Sequence, residues 1–314
     1  MKQIIIVIVG LIVVGGGIYY FNEASDTYTA DNTTEVEEPV VVDDEPMPVE
    51  PDGGIGDGAE PLPVLEGEEQ IGQSVTGEPI MAYHFGTGDT EIVLISGIHG
   101  GYSWNTALLG NELVEYFEDS TDMIPENVRV TVIPVVNPDG LETIVDDAYS
   151  FASSDVTAND TERIAARFNS NTVDLNRNFN CEWEATGTWQ NRDVSGGDEP
   201  FSEPESRAIR DYVESQGPTA VIAYYSAAGG VYASSCRNGI LPETRTLTSL
   251  YAEAANYEPN EEFDFYEING DMVNWLAAIE VPAISVLLTD HQSTELSKNL
   301  QGIDAVLTYY GDNE

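Results

Sequence analysis

Short apolar runs alternate along the chain with amphipathic segments, and each kind of pattern predicts a different element. Apolar runs predict strands at residues 91–95, 128–136, 220–225 and 283–288. Apolar positions that recur every three to four residues predict helices at residues 105–117, 203–215, 271–279 and 296–310. Such alternation is typical of an α/β fold, in which a mostly parallel or mixed central sheet carries helices on both faces.

Local signals predict how some of these elements begin. Residues 71–75 and 79–85 flank a Thr76-Gly77-Glu78 turn and predict a β-hairpin. Ser202 and Glu205 have the spacing of a capping box at the start of the helix predicted at 203–215. Sheets of this kind bind ligands at the carboxyl ends of their strands, so we expect a site in the loops that follow them.

The N-terminus carries an uncharged apolar run from Ile4 to Phe21, preceded by Lys2. Its length is near the lower limit for a membrane span, which takes roughly 20 apolar residues. Lys2 would stay in the cytoplasm, leaving the rest of the chain outside. We therefore predict a single-pass membrane anchor at 1–21. A cleaved signal peptide, giving a secreted protein, is the alternative, although no small-x-small cleavage site follows the run.

Acidic residues, Pro, Gly and Thr dominate the next part of the chain, without a helical or strand period. This composition is typical of a disordered, self-repelling spacer. We predict an acidic disordered linker at 22–69 and a folded domain at 70–314.

The formal charge is −45 at pH 7, from 56 acidic and 11 basic residues. A surface of this kind repels nucleic acid, so we expect no nucleic-acid partner. Scarce lysine with abundant carboxylates is typical of a salty habitat, and acidic drift of an exported protein explains it equally well. Cys181 and Cys236 lie in the part predicted to be extracytoplasmic, where a disulfide is permitted; two separate buried thiols are the alternative.

Seven short motifs follow one another between residues 97 and 286. They are Gly97-Ile98-His99-Gly100, Asn137-Pro138-Asp139-Gly140, Asp174-Leu175-Asn176-Arg177-Asn178-Phe179, Ser202-Glu203-Pro204-Glu205, Tyr225-Ser226, Tyr266 with Gly270 and Trp275, and Pro282-Ala283-Ile284-Ser285-Val286. The series resembles the zinc carboxypeptidase family, the carboxypeptidase A-like metallopeptidases, and bacterial members in particular. The resemblance extends over about residues 70–310 and implies the fold of that family.

The resemblance also implies a zinc site made by a His and a Glu of one loop and a His that ends a later strand. His99 matches the first of these ligands. The Glu position is occupied by Ser103, or by Tyr102 under a tighter spacing, and the second His position by Tyr225. One ligand of three therefore remains, and we expect zinc to be bound weakly or not at all, because an open zinc site needs three protein ligands.

The family's general base is a Glu on the last core strand. Leu287 occupies that position, and a shift of one residue gives Leu288, which is also apolar. Loss of a general base alone costs roughly 100- to 10,000-fold in rate, and leucine has no proton to exchange. One metal ligand of three therefore remains, and the general base is absent.

The two remaining histidines and one helical carboxylate are the possible substitute ligands for a metal. His84 lies in the opening hairpin, where an exposed position is expected. His291 follows the last core strand and is expected to line the cleft as a structural or substrate contact, with a relocated ligand as the alternative. Glu112 is expected to be solvated, because it lies well along a helix from His99.

The substrate-binding residues of the family are better preserved. Asn176 and Arg177 match the pair that binds a peptide's C-terminal carboxylate, and Tyr266 matches the tyrosine of a mobile loop. An arginine that polarises the scissile carbonyl is matched by Arg167, with Arg163 as a competitor. Arg177 paired with a surface Asp, and Tyr266 as an ordinary packed aromatic, are the alternatives.

These observations predict a membrane-tethered extracytoplasmic domain that is a pseudopeptidase with a pocket for peptide C-termini. An active zinc carboxypeptidase or amidase with an atypical metal site is the second hypothesis, and a structural surface domain without a ligand is the third. Metal content separates the second from the others. Binding of free compared with amidated peptide C-termini separates the first from the third.

The anchor prediction is tested by fractionation of cells that express the full-length chain. Because the run at Ile4 to Phe21 is long enough to stay in the bilayer, the protein should pellet with membranes and resist extraction by salt. Protease added from outside should cut within residues 22–68. A soluble product that lacks residues 1–21 would instead establish a cleaved signal.

Overall fold

A computed structural model describes residues 67–312 of the chain. Within this range, eight strands form one mixed sheet in the order β1-β2-β4-β3-β7-β10-β8-β9. The strands are β1 (Gly67–Gln73), β2 (Pro79–Phe85), β3 (Thr90–Ile95), β4 (Val128–Ile133), β7 (Ala220–Ser226), β8 (Gly230–Ala233), β9 (Glu258–Asn260) and β10 (Ala283–Leu288). A separate hairpin pairs β5 (Thr186–Trp189) with β6 (Arg192–Ser195).

Helices connect the strands and cover the sheet. They are α1 (Trp104–Asp119), α2 (Pro138–Glu142), α3 (Asp160–Ala165), α4 (Pro204–Gln216), α5 (Pro242–Ala255), α6 (Met272–Ala278) and α7 (Leu296–Asp312). The predicted strands and helices of the domain are all present, with ends that differ by a few residues.

The central strands β4, β3, β7 and β10 run parallel in that order. Helices that connect parallel strands cover both faces of a sheet, and the core accordingly lies on both faces here. Leu94 and Ile222 pack on one face with residues of α1, α5 and α7. Val93 and Val221 pack on the other face with residues of α4 and α6. This arrangement confirms the predicted fold class of a mixed sheet with helices on both faces.

Two predicted element ends are wrong for identifiable reasons. The strand predicted at 128–136 ends at Ile133, because Pro134 has no N–H to continue the ladder. The capping box at Ser202 and Glu205 does not form. The helix begins at Pro204, and the Glu205 carboxylate accepts hydrogen bonds from the Val75 backbone and the Asn169 side chain instead.

His84 is buried, not exposed as predicted. It is 5% accessible because its strand lies between β1 and β4 and its ring stacks on Tyr212 of α4. Its Nδ1 lies 3.0 Å from the Thr131 hydroxyl, and its Nε2 lies 3.6 Å from a carboxylate oxygen of Glu69. Burial lowers the pKa of His84 below its ordinary value.

Cys181 and Cys236 form a disulfide, which settles the choice that the sequence left open. The bridge joins the segment before β5 to the loop after β8, across 55 residues of chain. Glu182 and Ser235 are neighbours of the two cysteines in the sequence, and both line one cleft at the carboxyl ends of β7 and β10. The disulfide therefore joins two segments that line that cleft.

The predicted anchor at 1–21 and nearly all of the predicted linker at 22–69 lie outside the described residues. The first strand begins at Gly67, before the predicted domain start at residue 70. Between residues 67 and 312, no helix is long and apolar enough to cross a bilayer. The predictions for the N-terminus stay predictions.

The buried His84 predicts a specific loss of stability in acid. Because its pKa in the folded state is lower than in the unfolded state, the unfolded state binds more protons as the pH falls below about 6.5. The free energy of unfolding should therefore fall between pH 7.5 and 5.5, and it should fall less steeply in His84→Gln. Denaturant titrations at both pH values measure the two slopes; parallel pH profiles would contradict the assignment.

Candidate functional site

One cleft, of about 1230 Å³, opens at the carboxyl ends of β7 and β10. Its lining includes most of the residues that the sequence predicted for the site, which are His99, Tyr102, Arg167, Asn176, Tyr225, Tyr266, Leu287 and His291. The predicted positions that do not line it are Ser103, Arg177, Arg163, His84, Glu112 and Leu288. The site thus combines segments that are distant in the sequence.

His99 lies in the loop after β3, just before a 3₁₀ turn at Gly100–Ser103. Gly100 has φ +45°, and a Cβ there would lie 2.6 Å from the Ala166 carbonyl oxygen, so only glycine fits this sharp turn. The His99 ring is buried, and neither ring nitrogen has a hydrogen-bond partner. Burial, reinforced by Arg167 and Arg177, lowers the pKa of His99 well below its ordinary value, which keeps the ring neutral.

Tyr225 and Leu287 stand side by side across from His99. They pair directly in the parallel register of β7 and β10, so both point into the cleft. The Tyr225 ring lies 5.5 Å from the His99 ring, and its hydroxyl lies 3.4 Å from Oδ1 of Asn176. Leu288 packs on the opposite face of the sheet, so of the two positions considered for the base only Leu287 faces the cleft.

The two alternatives for the Glu ligand lie in different surroundings. Ser103 is buried, and its hydroxyl has no hydrogen-bond partner, like the ring nitrogens of His99. Tyr102 instead packs its ring edge-on against Trp189 and His291, each at a centroid distance of 4.7 Å.

The residues present do not fit a three-ligand zinc site. Within residues 67–312, no group of three or more His, Cys, Asp or Glu side chains is arranged to hold a metal ion. Burial raises the pKa of Tyr225 well above its ordinary value, so its phenol stays protonated and is a poor ligand. Leu287 offers no donor atom. A single imidazole remains from the family's set.

Arg167 forms the polar wall of the cleft together with Asp174. Its Nε and one terminal nitrogen each lie 2.9 Å from the same Asp174 oxygen, and both side chains are almost fully buried. The guanidinium packs over Trp189 at 4.3 Å and over Tyr102 at 5.6 Å. Its other terminal nitrogen, Nη1, has no hydrogen-bond partner among residues 67–312.

Asn176 lines the cleft, whereas its predicted partner Arg177 does not. Oδ1 of Asn176 accepts a hydrogen bond from the Met272 backbone, and its Nδ2 donates none within the described part of the chain. Arg177 is fully buried and donates to the carbonyl oxygens of Asn176 and Thr188. It lies 5.9 Å beneath the Tyr266 ring and is not paired with a surface carboxylate.

The remaining sequence candidates lie away from the cleft. Arg163 pairs with Asp160 on the exposed side of α3, so Arg167 is the arginine that reaches the site. Glu112 is half-buried, not solvated as expected, and burial raises the pKa of its carboxyl. Neither side chain has a place in the cleft.

Several cleft residues were not found by the sequence reasoning. Asn105 and Ser226 form hydrogen bonds that reach His291, and Trp189 covers Arg167. Asp271 lines the cleft with one carboxylate oxygen unpartnered, and burial raises its pKa to about 6. Its place at the start of a predicted helix was the available signal, since Asp is favoured as an N-cap.

The outer rim is acidic and aromatic. Residues 261–267 contribute four carboxylates and three aromatic rings to one side of the cleft. Glu261 pairs with Arg245 at 2.9 Å, whereas Glu262, Asp264 and Glu267 have no ion-pair partner within residues 67–312. The rim therefore attracts positively charged groups.

Known proteins resemble this chain over most of the described domain. A family model described as zinc carboxypeptidase matches residues 63–295. Gamma-D-glutamyl-L-diamino acid endopeptidase 1 of Lysinibacillus sphaericus is 25% identical over 65% of this chain, which spans 56% of that protein's length. Murein peptide amidase A of Escherichia coli is 28% identical over 74% of this chain and 85% of its own length. The fold is also that of bovine thrombin-activatable fibrinolysis inhibitor, with a TM-score of 0.61 at 17% identity over 79% of this chain and 90% of that one.

Metal analysis tests the substituted ligand set. The purified chain should hold far less than one equivalent of zinc after dialysis, because His99 alone cannot retain it. The double variant Ser103→Glu/Tyr225→His should approach one equivalent, since the two changes restore the family's ligand types at the positions that the motifs assign to them. Inductively coupled plasma mass spectrometry gives the content, and a rise in melting temperature with added zinc gives an independent readout.

The matched control is Tyr102→Glu/Tyr225→His, which places the carboxylate at the other spacing. It should bind less zinc, because Tyr102 is engaged with Trp189 and His291. Adding Leu287→Glu to the first variant should give weak hydrolysis of a C-terminal residue. Stoichiometric, tightly held zinc in the unmodified chain would overturn this account of the site.

Proposed function

The chain belongs to the zinc carboxypeptidase family, as the order of its motifs predicted, and we propose that it is a pseudopeptidase that binds peptide C-termini without hydrolysing them. The carrying observation is a pair of unpartnered donors in the cleft, Nδ2 of Asn176 and Nη1 of Arg167. They lie in a site where tyrosine and leucine occupy positions of a ligand and the base.

The free donors fit a carboxylate. An ionised carboxylate accepts hydrogen bonds only, so it complements an amide N–H and a guanidinium N–H that have no other partner. Arg167 keeps its other donors on Asp174, which holds the guanidinium in place as the ligand enters. Arg177 contributes positive charge from behind the cleft, where it is fixed by two carbonyl oxygens.

The hydrolytic half of the site lacks the parts it needs. Leu287 cannot activate a water molecule, and the Tyr225 phenol stays protonated. These substitutions favour binding over an active carboxypeptidase or amidase. The unpartnered donors favour it over a purely structural domain, because N–H groups that line a cleft and have no protein partner are available to a ligand.

The charge of the rim favours peptides that also carry an ammonium group. Glu262, Asp264 and Glu267 lie at the entrance, and Asp271 has an unpartnered oxygen at the floor. Two relatives are named for a diamino-acid linkage and for murein peptides. We extend this to the present chain as a proposal: its ligands are short peptides with a basic residue, of the kind found in cell walls.

We propose an extracytoplasmic location, with the domain tethered to the membrane by residues 1–21 through the acidic linker. The Cys181–Cys236 disulfide supports this, because disulfides persist in oxidising compartments outside the cytoplasm. Tethering would keep the cleft within a linker's reach of the cell surface.

Calorimetry with a matched pair of ligands tests the function. The peptide Gly-Ala-Lys with a free carboxylate should bind at least about tenfold more tightly than the same peptide with a C-terminal amide, since a charge-assisted pair contributes about 1.5–3 kcal/mol. Asn176→Asp keeps the size and Oδ1 contacts of the side chain but replaces the donor by a negative charge. It should abolish the preference for the free acid.

Arg210→Ala is the control, because Arg210 is a cation of the same domain that pairs with Asp211 outside the cleft. Its affinity for both peptides should equal that of the unmodified chain. Equal binding of acid and amide by the unmodified chain would favour the structural alternative, and release of lysine during the titration would favour the active enzyme.

A further inference from the structure

Three side chains from distant parts of the chain form a hydrogen-bonded series at one wall of the cleft. Oγ of Ser226, at the end of β7, lies 3.1 Å from Oδ1 of Asn105 on α1. The same oxygen lies 2.9 Å from Nδ1 of His291, in the loop after β10. The direction of donation along this series decides which nitrogen of His291 carries the proton.

The orientation of the Asn105 amide is fixed by its surroundings. Nδ2 donates to the carbonyl oxygens of Asp290 and Ser293, each at 2.9 Å. A flipped amide would place Oδ1 against two other oxygens, so Oδ1 must face Ser226. Asn105 is fully buried, and Ser226 is the one donor to its Oδ1 within residues 67–312.

Ser226 has a single hydroxyl proton, and Asn105 takes it. A buried amide oxygen without a donor is costly, whereas His291 has a second way to complete the contact. Nδ1 of His291 must then be the donor to the serine oxygen. In a neutral imidazole the other nitrogen is an acceptor, so Nε2 carries the lone pair.

This lone pair is available to a ligand. Nε2 makes no hydrogen bond within the described residues, and His291 lines the cleft. Its ring is held edge-on against Tyr102, whose ring in turn contacts Trp189. Burial lowers the pKa of His291, and the charges of Arg163 and Arg167 lower it further. Asp290 acts in the opposite direction, but the net shift favours the neutral ring.

We propose that His291 is a ligand-contacting residue whose Nε2 accepts a hydrogen bond from an amide N–H of the bound peptide, and that Ser226 and Asn105 are positioning residues that fix its tautomer. The inference rests on the proposed function and deepens it. Asn176 and Arg167 donate to the carboxylate, and His291 supplies an acceptor in the same cleft. A peptide has both groups, whereas a simple carboxylic acid lacks the N–H.

Nuclear magnetic resonance tests the tautomer directly in the full-length protein labelled with ¹⁵N-histidine. The chain has three histidines, so the imidazole signals are few, and His291→Asn assigns the one of interest. We expect protonated Nδ1 and bare Nε2 at neutral pH. Ser226→Ala removes the acceptor of Nδ1–H and should move the population toward the Nε2–H form. An Nε2–H tautomer in the unmodified protein overturns the proposed relay.

Two matched variants test the ligand contact. His291→Asn keeps an amide nitrogen near the position of Nδ1 and removes Nε2, and it should weaken binding of Gly-Ala-Lys by about fivefold to tenfold. His291→Gln places an amide oxygen near the position of Nε2 and should restore part of the affinity. His84→Gln, a histidine of the same domain outside the cleft, should leave the affinity unchanged.

N-methylation of each peptide amide in turn removes one N–H from the ligand alone. One of these methyl groups should weaken binding to the unmodified chain and have little further effect on His291→Asn, because the two changes break one contact. If the losses of affinity from the methyl group and from His291→Asn add in full for every amide, the contact with His291 is overturned, whereas the proposed function is not. If the unmodified chain binds no free-acid peptide, both the proposed function and the ligand contact of His291 are overturned. The tautomer measurement still tests whether Ser226 and Asn105 fix the proton of His291. Should His291→Asn not fold, His291→Leu, which also lacks an acceptor at the position of Nε2, replaces it in the cycle.

Discussion

The polar side of the cleft depends on one buried carboxylate, that of Asp174. It is inaccessible to solvent and holds Arg167 through two contacts to the same oxygen. Its other oxygen accepts from the Asn176 backbone and lies 3.9 Å from Nε2 of His99. At that distance the oxygen forms no hydrogen bond with the imidazole, so the carboxylate acts mainly on Arg167 and on the Asn176 backbone. Without Asp174, the buried guanidinium of Arg167 would have no ion-pair partner among residues 67–312, and a buried charge without a partner is strongly destabilising.

Substitution has affected the two halves of this site unequally. The hydrolytic half depends on three donors and a base converging on one point, and the changes at Tyr225 and Leu287 are apolar or protonated replacements in adjacent positions of β7 and β10. The recognition half depends on hydrogen-bond donors that belong to the loop of Asn176 and to Arg167, which have other structural partners. Residues that also support the fold are costly to change, and on the proposed function this accounts for the retention of the recognition half.

The sequence was sufficient for the sheet, the helices and most of the cleft lining, because apolar periodicity and the order of motifs carry that information locally. It failed where the outcome depends on tertiary neighbours. His84 was expected to be exposed, but Tyr212 of a helix more than a hundred residues later covers it. Glu205 satisfies the Val75 backbone across 130 residues instead of capping its own helix. The burial of Arg177 and the Asn105–Ser226–His291 series depend on contacts of the same long-range kind.

The disulfide makes the shape of the cleft depend on the chemical history of the chain. It closes a loop of 55 residues, which in a chain-entropy description removes about 4 kcal/mol of freedom from the unfolded state. Glu182 and Ser235 flank the two cysteines and line the cleft, so the bridge also joins two of the segments that line it. On the proposed extracytoplasmic location, a newly made chain would lack this cross-link while it is in the reducing cytosol. The two lining segments would then be joined only after the chain reaches an oxidising compartment.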